Sequence, residues 1–219
     1  MHSDELILSA TNLSYRYGDG PTLSFPDISV TAGQVLLILG PSGCGKTTLL
    51  HLLAGLLRPQ SGQVVLTDHT YNHDKPAELD QIRGKQLGVV YQQDHFIDTL
   101  TAWHNLRLSP YCSPADQLKT IAKELSIDGL LQKYPQDMST GERQRLGIAR
   151  ALAHRPSLIL ADEPTSALDR KNCLAVLSLL QEQAERHNAA LIIVTHDDRL
   201  MENIPNHILL SPVSQASPQ

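Results

Sequence analysis

The clearest chemical signal in the chain is Gly40-Pro41-Ser42-Gly43-Cys44-Gly45-Lys46-Thr47-Thr48. It fits G-x-x-x-x-G-K-[ST], a phosphate-binding loop. Glycines at 40, 43 and 45 open backbone angles closed to other residues and let phosphate oxygens approach the main chain. The amides there, with the positive end of a following helix, form an anion site. Lys46 adds a full charge for the outer phosphates, and the Thr47 hydroxyl is placed to ligate Mg²⁺. The flanks separate this from a glycine-rich turn that merely holds a lysine. Gln34 to Leu39 is an apolar run that reads as a buried strand, and Leu49, Leu50, Leu52, Leu53 and Leu56 recur at helical spacing. Strand, turn and helix are what the chemistry requires.

Three more polar groups stand where apolar runs end: Gln92, Asp162-Glu163 and Thr195-His196. Ligands of open α/β sheets sit at the carboxyl ends of the strands. Asp162 follows Leu158 to Ala161, so its carboxylate emerges at a strand tip, where it can hold Mg²⁺ directly or through water. Glu163 is one residue further and points elsewhere; it can orient or deprotonate a water aimed at a γ-phosphate. Two acids in this position also suit an ordinary helix cap, and the upstream phosphate loop favours the Mg²⁺ reading. On spacing alone, Gln92 and His196 fit either a ligand role or a structural one. Tyr15 and Tyr17 precede the turn Gly18-Asp19-Gly20-Pro21; a tyrosine there fits either a stacking face for a flat ring or a sheet surface.

The elements that position these groups follow from pattern. Leu6, Leu8, Leu13, Leu23, Phe25, Ile28 and Val30 alternate as short antiparallel strands. Arg58 to Gly62 reads as a turn, Gln63 to Thr67 as a strand, Asp68 to Ala77 as a polar loop followed by a short helix to Gly84, and Leu87 to Tyr91 as a buried strand. His69 and His73 are near neighbours in the polar loop and read as solvated. From Asp94 to about Leu131 the composition turns helical, with Leu118, Ile121, Ala122 and Leu125 on one face. Arg143 to Ala153 is a helix that Ser139 can cap and Pro156 ends. Ser157 to Ala161 and Ala190 to Val194 are buried strands on either side of an amphipathic helix over Asn172 to His187. Buried strands alternating with helices imply an α/β fold with a mainly parallel sheet. The tail from Ser211 is rich in Ser, Pro and Gln and reads as frayed.

Bulk properties narrow the class. The chain has 219 residues, 41% hydrophobic and 19% charged, an ordinary globular balance. Its net charge of −5, without a basic block, argues against a nucleic-acid partner. Cys44, Cys112 and Cys173 have no metal-type spacing, and an odd count with a thiol in the phosphate loop suits a reducing cytosol. No stretch reaches the roughly 18 apolar residues that span a bilayer, and Met1-His2-Ser3-Asp4-Glu5 lacks a signal-peptide core, so a membrane role is expected to run through a partner.

Taken in order, these residues resemble the nucleotide-binding subunit of ATP-binding cassette (ABC) transporters over nearly the whole chain. Tyr17 matches the family's adenine-stacking position, Gly40 to Thr48 its Walker A loop, and Gln92 its Q-loop glutamine. Ser139-Thr140-Gly141-Glu142-Arg143-Gln144-Arg145 resembles its signature motif. Leu158 to Glu163 resembles Walker B with the catalytic glutamate, Ser166-Ala167-Leu168-Asp169 the D-loop, and His196 the switch histidine. Three positions depart from the family: Thr140 in Met138-Ser139-Thr140-Gly141 where Leu-Ser-Gly-Gly is usual, Trp103-His104-Asn105 where Glu-Asn is usual, and Asp98 where proline is common.

The resemblance implies a P-loop NTPase core with an N-terminal antiparallel β-subdomain and a small inserted helical subdomain. Residues 1–92 and 155–219 would form the nucleotide-binding part and 93–154 the helical insertion with the signature. It implies ATP and Mg²⁺ as ligands, with Thr47, Gln92 and Asp162 toward the metal and Glu163, His196 and Lys46 as the catalytic set. ATP would be contacted by Tyr17, Gly40, Pro41, Ser42, Gly43, Cys44, Gly45, Lys46, Thr47, Thr48 and Gln92. Across a head-to-tail dimer, Ser139, Thr140, Gly141, Glu142 and Asp169 of a second copy would complete the site. An integral membrane permease would dock near Gln92 and the insertion, holding the ATPase at the inner face of the cell membrane. Leu87 to Gln93 and Ala161 to Thr165 look most like the lipoprotein-release and macrolide-export group; amino-acid or metal importers are similar. A soluble ABC protein of DNA repair or translation, usually with long insertions, a zinc motif or two cassettes, and a small-molecule P-loop kinase, which would lack the signature, are the other classes.

Overall fold

The computed structural model describes residues 5–93, 95–165 and 170–211. Among the described residues ten strands form two sheets, accompanied by six α-helices. In the first, β1 (Leu6–Arg16) pairs antiparallel with β2 (Thr22–Ser24), β3 (Ile28–Thr31) and β5 (Ser61–Leu66), and β5 pairs with β6 (His69–Thr70). The second sheet is wholly parallel. It contains β4 (Val35–Leu39), β7 (Leu87–Val90), β8 (Leu158–Asp162), β9 (Ala190–Thr195) and β10 (His207–Leu209), in the order β10-β4-β9-β8-β7.

The parallel strands are largely apolar, with Asp162, Thr195 and His207 only at strand ends, because the central strands are covered on both faces. Successive side chains alternate between the faces. Leu36, Ile38, Leu158, Leu160, Ile192 and Val194 join a core with the antiparallel sheet and α1 (Lys46–Leu53). Leu37, Leu39, Ile159, Ala161, Leu191 and Ile193 join a second core on the opposite face. That core takes residues from α3 (Ala102–Leu106), α5 (Thr140–Leu152) and α6 (Arg170–Arg186), and Ile121 and Ala122 from α4 (Ala115–Glu124). The sheet is thus a septum, and every strand end that carries chemistry opens at one rim.

The structure revises four local expectations. Leu56 is not on the α1 face: the helix stops at Leu53, Gly55 takes φ +65°, and Leu56 lies 48% exposed. The segment 68–77 is not all loop. His69–Thr70 extends the antiparallel sheet, and α2 (Pro76–Gln86) starts at Pro76, a residue suited to a helix's first position. His73 is half-buried and desolvation lowers its pKa, so it is not a fully solvated loop residue. Strand β10 carried no pattern signal, because it is three residues long and mostly exposed. The expected fraying beyond Ser211 falls outside the described residues.

The contact that brings the signature helix onto the sheet is close. A Cβ on Gly88 in β7 would stand 2.4 Å from the Ala151 carbonyl oxygen and 3.0 Å from Pro156 Cγ. Neither backbone nor proline ring can yield easily. Gly88→Val is expected to destabilise the chain by about 1–3 kcal/mol. At about 2–4 °C per kcal/mol for a chain of this size, a thermal melt reads the loss directly.

Candidate functional site

The rim of the parallel sheet gathers the site. Register puts Leu39 beside Thr195 and Asp162 beside Val194, so the phosphate loop, the acids and the Thr195-His196 pair leave the sheet at one level. A cavity of about 720 Å³ opens there. Ser42, Gly43, Cys44, Gly45, Lys46, Thr47 and Thr48 form its floor, and Gln92, Glu163 and His196 line its side. Tyr17 borders it with Gly20, Pro21 and Leu23. These last three were read only as turn and strand. Their signal was positional, since the turn they belong to follows Tyr17 directly.

The loop's geometry follows from its glycines. Gly43 and Gly45 have φ of 81° and 99°, the left-handed region open to glycine. A Cβ on Gly45 would also press on the Phe25 ring at 3.2 Å. Lys46 is buried, and its Nζ donates to the carbonyl oxygens of Gly40 (2.9 Å) and Pro41 (3.1 Å). The same ammonium lies 3.6 Å from Glu163 Oε1. The Tyr17 hydroxyl reaches Thr48 Oγ1 at 3.2 Å, and its ring meets Tyr15 edge to face, leaving 55% of the residue exposed beside the cavity.

Glu163 is the most constrained group at the rim. Its φ is +47°, uncommon for a residue with a side chain and worth about 1–3 kcal/mol of strain. Its amide donates to the Val194 carbonyl at 2.8 Å. Its Oε2 accepts from the Thr195 hydroxyl (2.9 Å) and the His196 amide (3.3 Å), and pairs with His196 Nδ1 at 2.9 Å. The carboxylate is therefore aimed by two elements, β9 and the phosphate loop, while His196 stays 55% exposed and lines the cavity.

Asp162 differs. Burial, then the neighbouring Glu163 charge, push its pKa up; His51, Lys46 and a hydrogen bond from Thr47 oppose the rise. Its Oδ1 is buried with no hydrogen-bond partner among the described residues. A buried carboxylate oxygen beside a threonine hydroxyl and a second acid is the donor set a hard divalent cation satisfies. The Mg²⁺ expectation fits Thr47 and Asp162 on this ground, and Gln92 stands on the same cavity.

Ser139, Thr140, Gly141 and Glu142 do not line this cavity. They open α5 at the surface. Ser139 caps it: the Glu142 amide donates to Ser139 Oγ at 3.3 Å, and Glu142 Oε2 accepts from the Ser139 amide at 2.7 Å. That bond holds the Glu142 carboxyl below its usual range. A Cβ on Gly141 would meet only Arg145 Nη1, at an ordinary 3.7 Å, and Gly141 does not have positive φ. The fold itself has no need of glycine there. Asp169 and the rest of Ser166 to Asp169 lie outside the described residues.

Known proteins share this arrangement. A family profile described as "ABC transporter" matches residues 23–166. The lipoprotein-releasing system ATP-binding protein LolD of Psychrobacter arcticus is 40% identical over 216 residues, covering 93% of this chain and 95% of that protein. LolD of Legionella pneumophila (strain Lens) is 36% identical over 217 residues, covering 94% and 96%. The bacitracin export ATP-binding protein BceA of Halalkalibacterium halodurans is 38% identical over 201 residues, covering 87% and 79%. Among solved structures, the dimeric post-hydrolysis state of the ATP-binding cassette MJ0796 bound to ADP and Pi superposes with a TM-score of 0.78. It is 29% identical and covers 95% of this chain and 97% of that one. A phosphate loop, an acid pair at the next strand rim and a capped signature helix, on a fold shared over nearly its full length, have one family in common: the chain belongs to the ABC transporters, as an ATP-hydrolysing cassette.

Proposed function

We propose that the chain is the ATPase subunit of an export-type transporter of the lipoprotein-releasing kind, and that it works as a head-to-tail pair. Each ATP lies between Gly40 to Thr48 of one copy and Ser139 to Glu142 of the other. Asp169 would stand at the same boundary. The observation that carries this reading is Gly141. A glycine near the exposed start of a helix costs about 1 kcal/mol against alanine, and no contact among the described residues requires it. The exposed helix start, with the Arg145 guanidinium beside Gly141, suits an oxyanion approaching its amides.

Within one half-site the geometry supports the following division of roles. Tyr17 offers its exposed face to the base. The loop amides and Lys46 hold the phosphates. Thr47, Asp162 and Gln92 would hold Mg²⁺, which would supply charge neutralisation for the outer phosphates. Glu163 accepts the proton of a water that attacks the γ-phosphorus, while the bond to the bridging oxygen breaks and ADP departs. His196 steadies Glu163 through Nδ1 and turns its other nitrogen toward the γ-phosphate. Loss of that phosphate removes the link to the partner's helix, so ATP is a differential ligand for the closed pair.

Residues 93–154 are the part that would follow this closure, with 1–92 and 155–219 as the nucleotide-binding part. No helix among the described residues is long and apolar enough to cross a membrane, so attachment to the inner face runs through a permease. A groove of about 390 Å³ beside Gln92, lined by Leu56, Arg83, Val89 and Tyr91 among others, supports docking there. Leu56, 48% exposed, adds apolar surface to the groove.

Three outcomes test the reading. Glu163→Gln should bind ATP and run as a dimer in size-exclusion chromatography with ATP and Mg²⁺; a monomer with ATP bound would count against the paired site. In that background Gly141→Ala should melt at the same temperature or higher, yet lose the ATP-dependent dimer. As a single change it should lower hydrolysis tenfold or more. Asp162 supplies a pH test. Its folded pKa is raised, so ionising it destabilises the fold. That penalty begins near the unfolded value of about 3.9 and is complete above the folded pKa. Asp162→Asn should therefore raise the melting temperature of the nucleotide-free chain at pH 7, with a smaller gain near pH 4, while Mg²⁺-dependent hydrolysis is lost.

A further inference from the structure

One side-chain bond crosses from the signature helix to the loop that carries Glu163. Gln144, on the first turns of α5, donates its Nε2 hydrogen to the Pro164 carbonyl oxygen at 2.7 Å. Gln144 is half-buried, Pro164 is buried, and the bond is shielded accordingly. Pro164 follows the backbone-strained Glu163 directly, and a residue before proline has few backbone states open to it. Glu163 is therefore pinned on one side by β9, through its amide and through Thr195, and on the other by α5, through Gln144.

We propose that Gln144 is a positioning residue that sets the Glu163 loop by the state of the signature helix in its own chain, and so couples the two nucleotide sites of a pair. This rests on the head-to-tail reading above. In that assembly Ser139, Thr140 and Gly141 of a chain serve the partner's nucleotide, whereas Glu163 of the same chain serves its own. The Gln144–Pro164 bond is then a direct link between the two sites inside one chain. A helix moves as a rigid rod, so drawing its start toward the partner's γ-phosphate either carries the Pro164 carbonyl along or breaks the bond. The restricted backbone at Glu163 converts that movement into a change between discrete settings rather than a gradual drift. A site occupied on one side of the pair thereby readies the hydrolytic carboxylate on the other.

The test uses the full chain. Gln144→Met keeps the length and removes the donor, whereas Gln144→Lys keeps a donor at comparable reach. Wild-type hydrolysis should rise cooperatively with ATP. Gln144→Met should lower kcat about three- to tenfold, the worth of one hydrogen bond, with KM little changed and the Hill coefficient falling toward 1. Gln144→Lys should recover both. Glu163→Gln with Gln144→Met should still dimerise with ATP. Unchanged kcat and Hill coefficient in folded Gln144→Met overturns the coupling. So does loss of the ATP dimer in the double variant while Glu163→Gln alone still dimerises, since Gln144 would then only hold the helix start. A monomeric Glu163→Gln chain sinks the head-to-tail reading itself, a result separable from both. Should Gln144→Met not fold, Gln144→Glu, which also lacks the donor, carries the same comparison.

Discussion

The register of β4, β9 and β8 is the constraint on which the site depends. Leu39 opposite Thr195 and Asp162 opposite Val194 put a glycine loop, a hydroxyl, a histidine and two acids at one rim. A slip of one residue would turn Leu36, Leu160 and Ile192 from one core to the other and carry every rim group away from its partners. The apolar residues on both faces therefore fix the chemistry as much as the fold. The two adjacent acids at the rim, Asp162 and Glu163, could not hold this arrangement alone, because their charges repel and burial raises the cost of charging Asp162.

That cost explains why Lys46 is so enclosed. Its ammonium bridges the carbonyls of Gly40 and Pro41 and approaches Glu163. It offsets carboxylate charge from inside the loop while remaining positioned for phosphate. Glu163 is further held by Thr195 and His196, so the lysine is one of several groups that orient it. Asp162 has an oxygen without a protein partner among the described residues. The two acids thus occupy different electrostatic conditions one residue apart. One is aimed by hydrogen bonds, and the other is left with the coordination a cation completes.

The strands and the phosphate loop were legible because their signals are local. An apolar run, a glycine pattern and a cap such as Ser139 with Glu142 each carry their own reason within a few residues. What escaped depended on distant partners. Strand β10 exists because β4 offers a free edge to His207, Ile208 and Leu209, and their own pattern says little. Leu56 looked like one more turn of α1, yet Gly55 turns the chain out at φ +65°. Gly20, Pro21 and Leu23 join the cavity only because β2 folds back on β1. The family resemblance supplied roles for Gln92 and His196 that spacing alone left open.

Gln144 shows the same limit in its sharpest form. In the sequence it is one polar residue among Glu142, Arg143 and Arg145 on a helix, with nothing to separate it from a solvated face. Its significance lies in a single carbonyl that is distant along the chain but adjacent in space. The signature helix rests on the sheet through Gly88 and through the buried face of Leu146, Ile148, Ala149 and Leu152, contacts that tolerate little shear. Its opening turn is exposed and capped only by its own residues. The helix is therefore held along its buried face with its start open at the surface, and Gln144 lies near that start. A ligand that bound there would be felt at Glu163 before it was felt by the core.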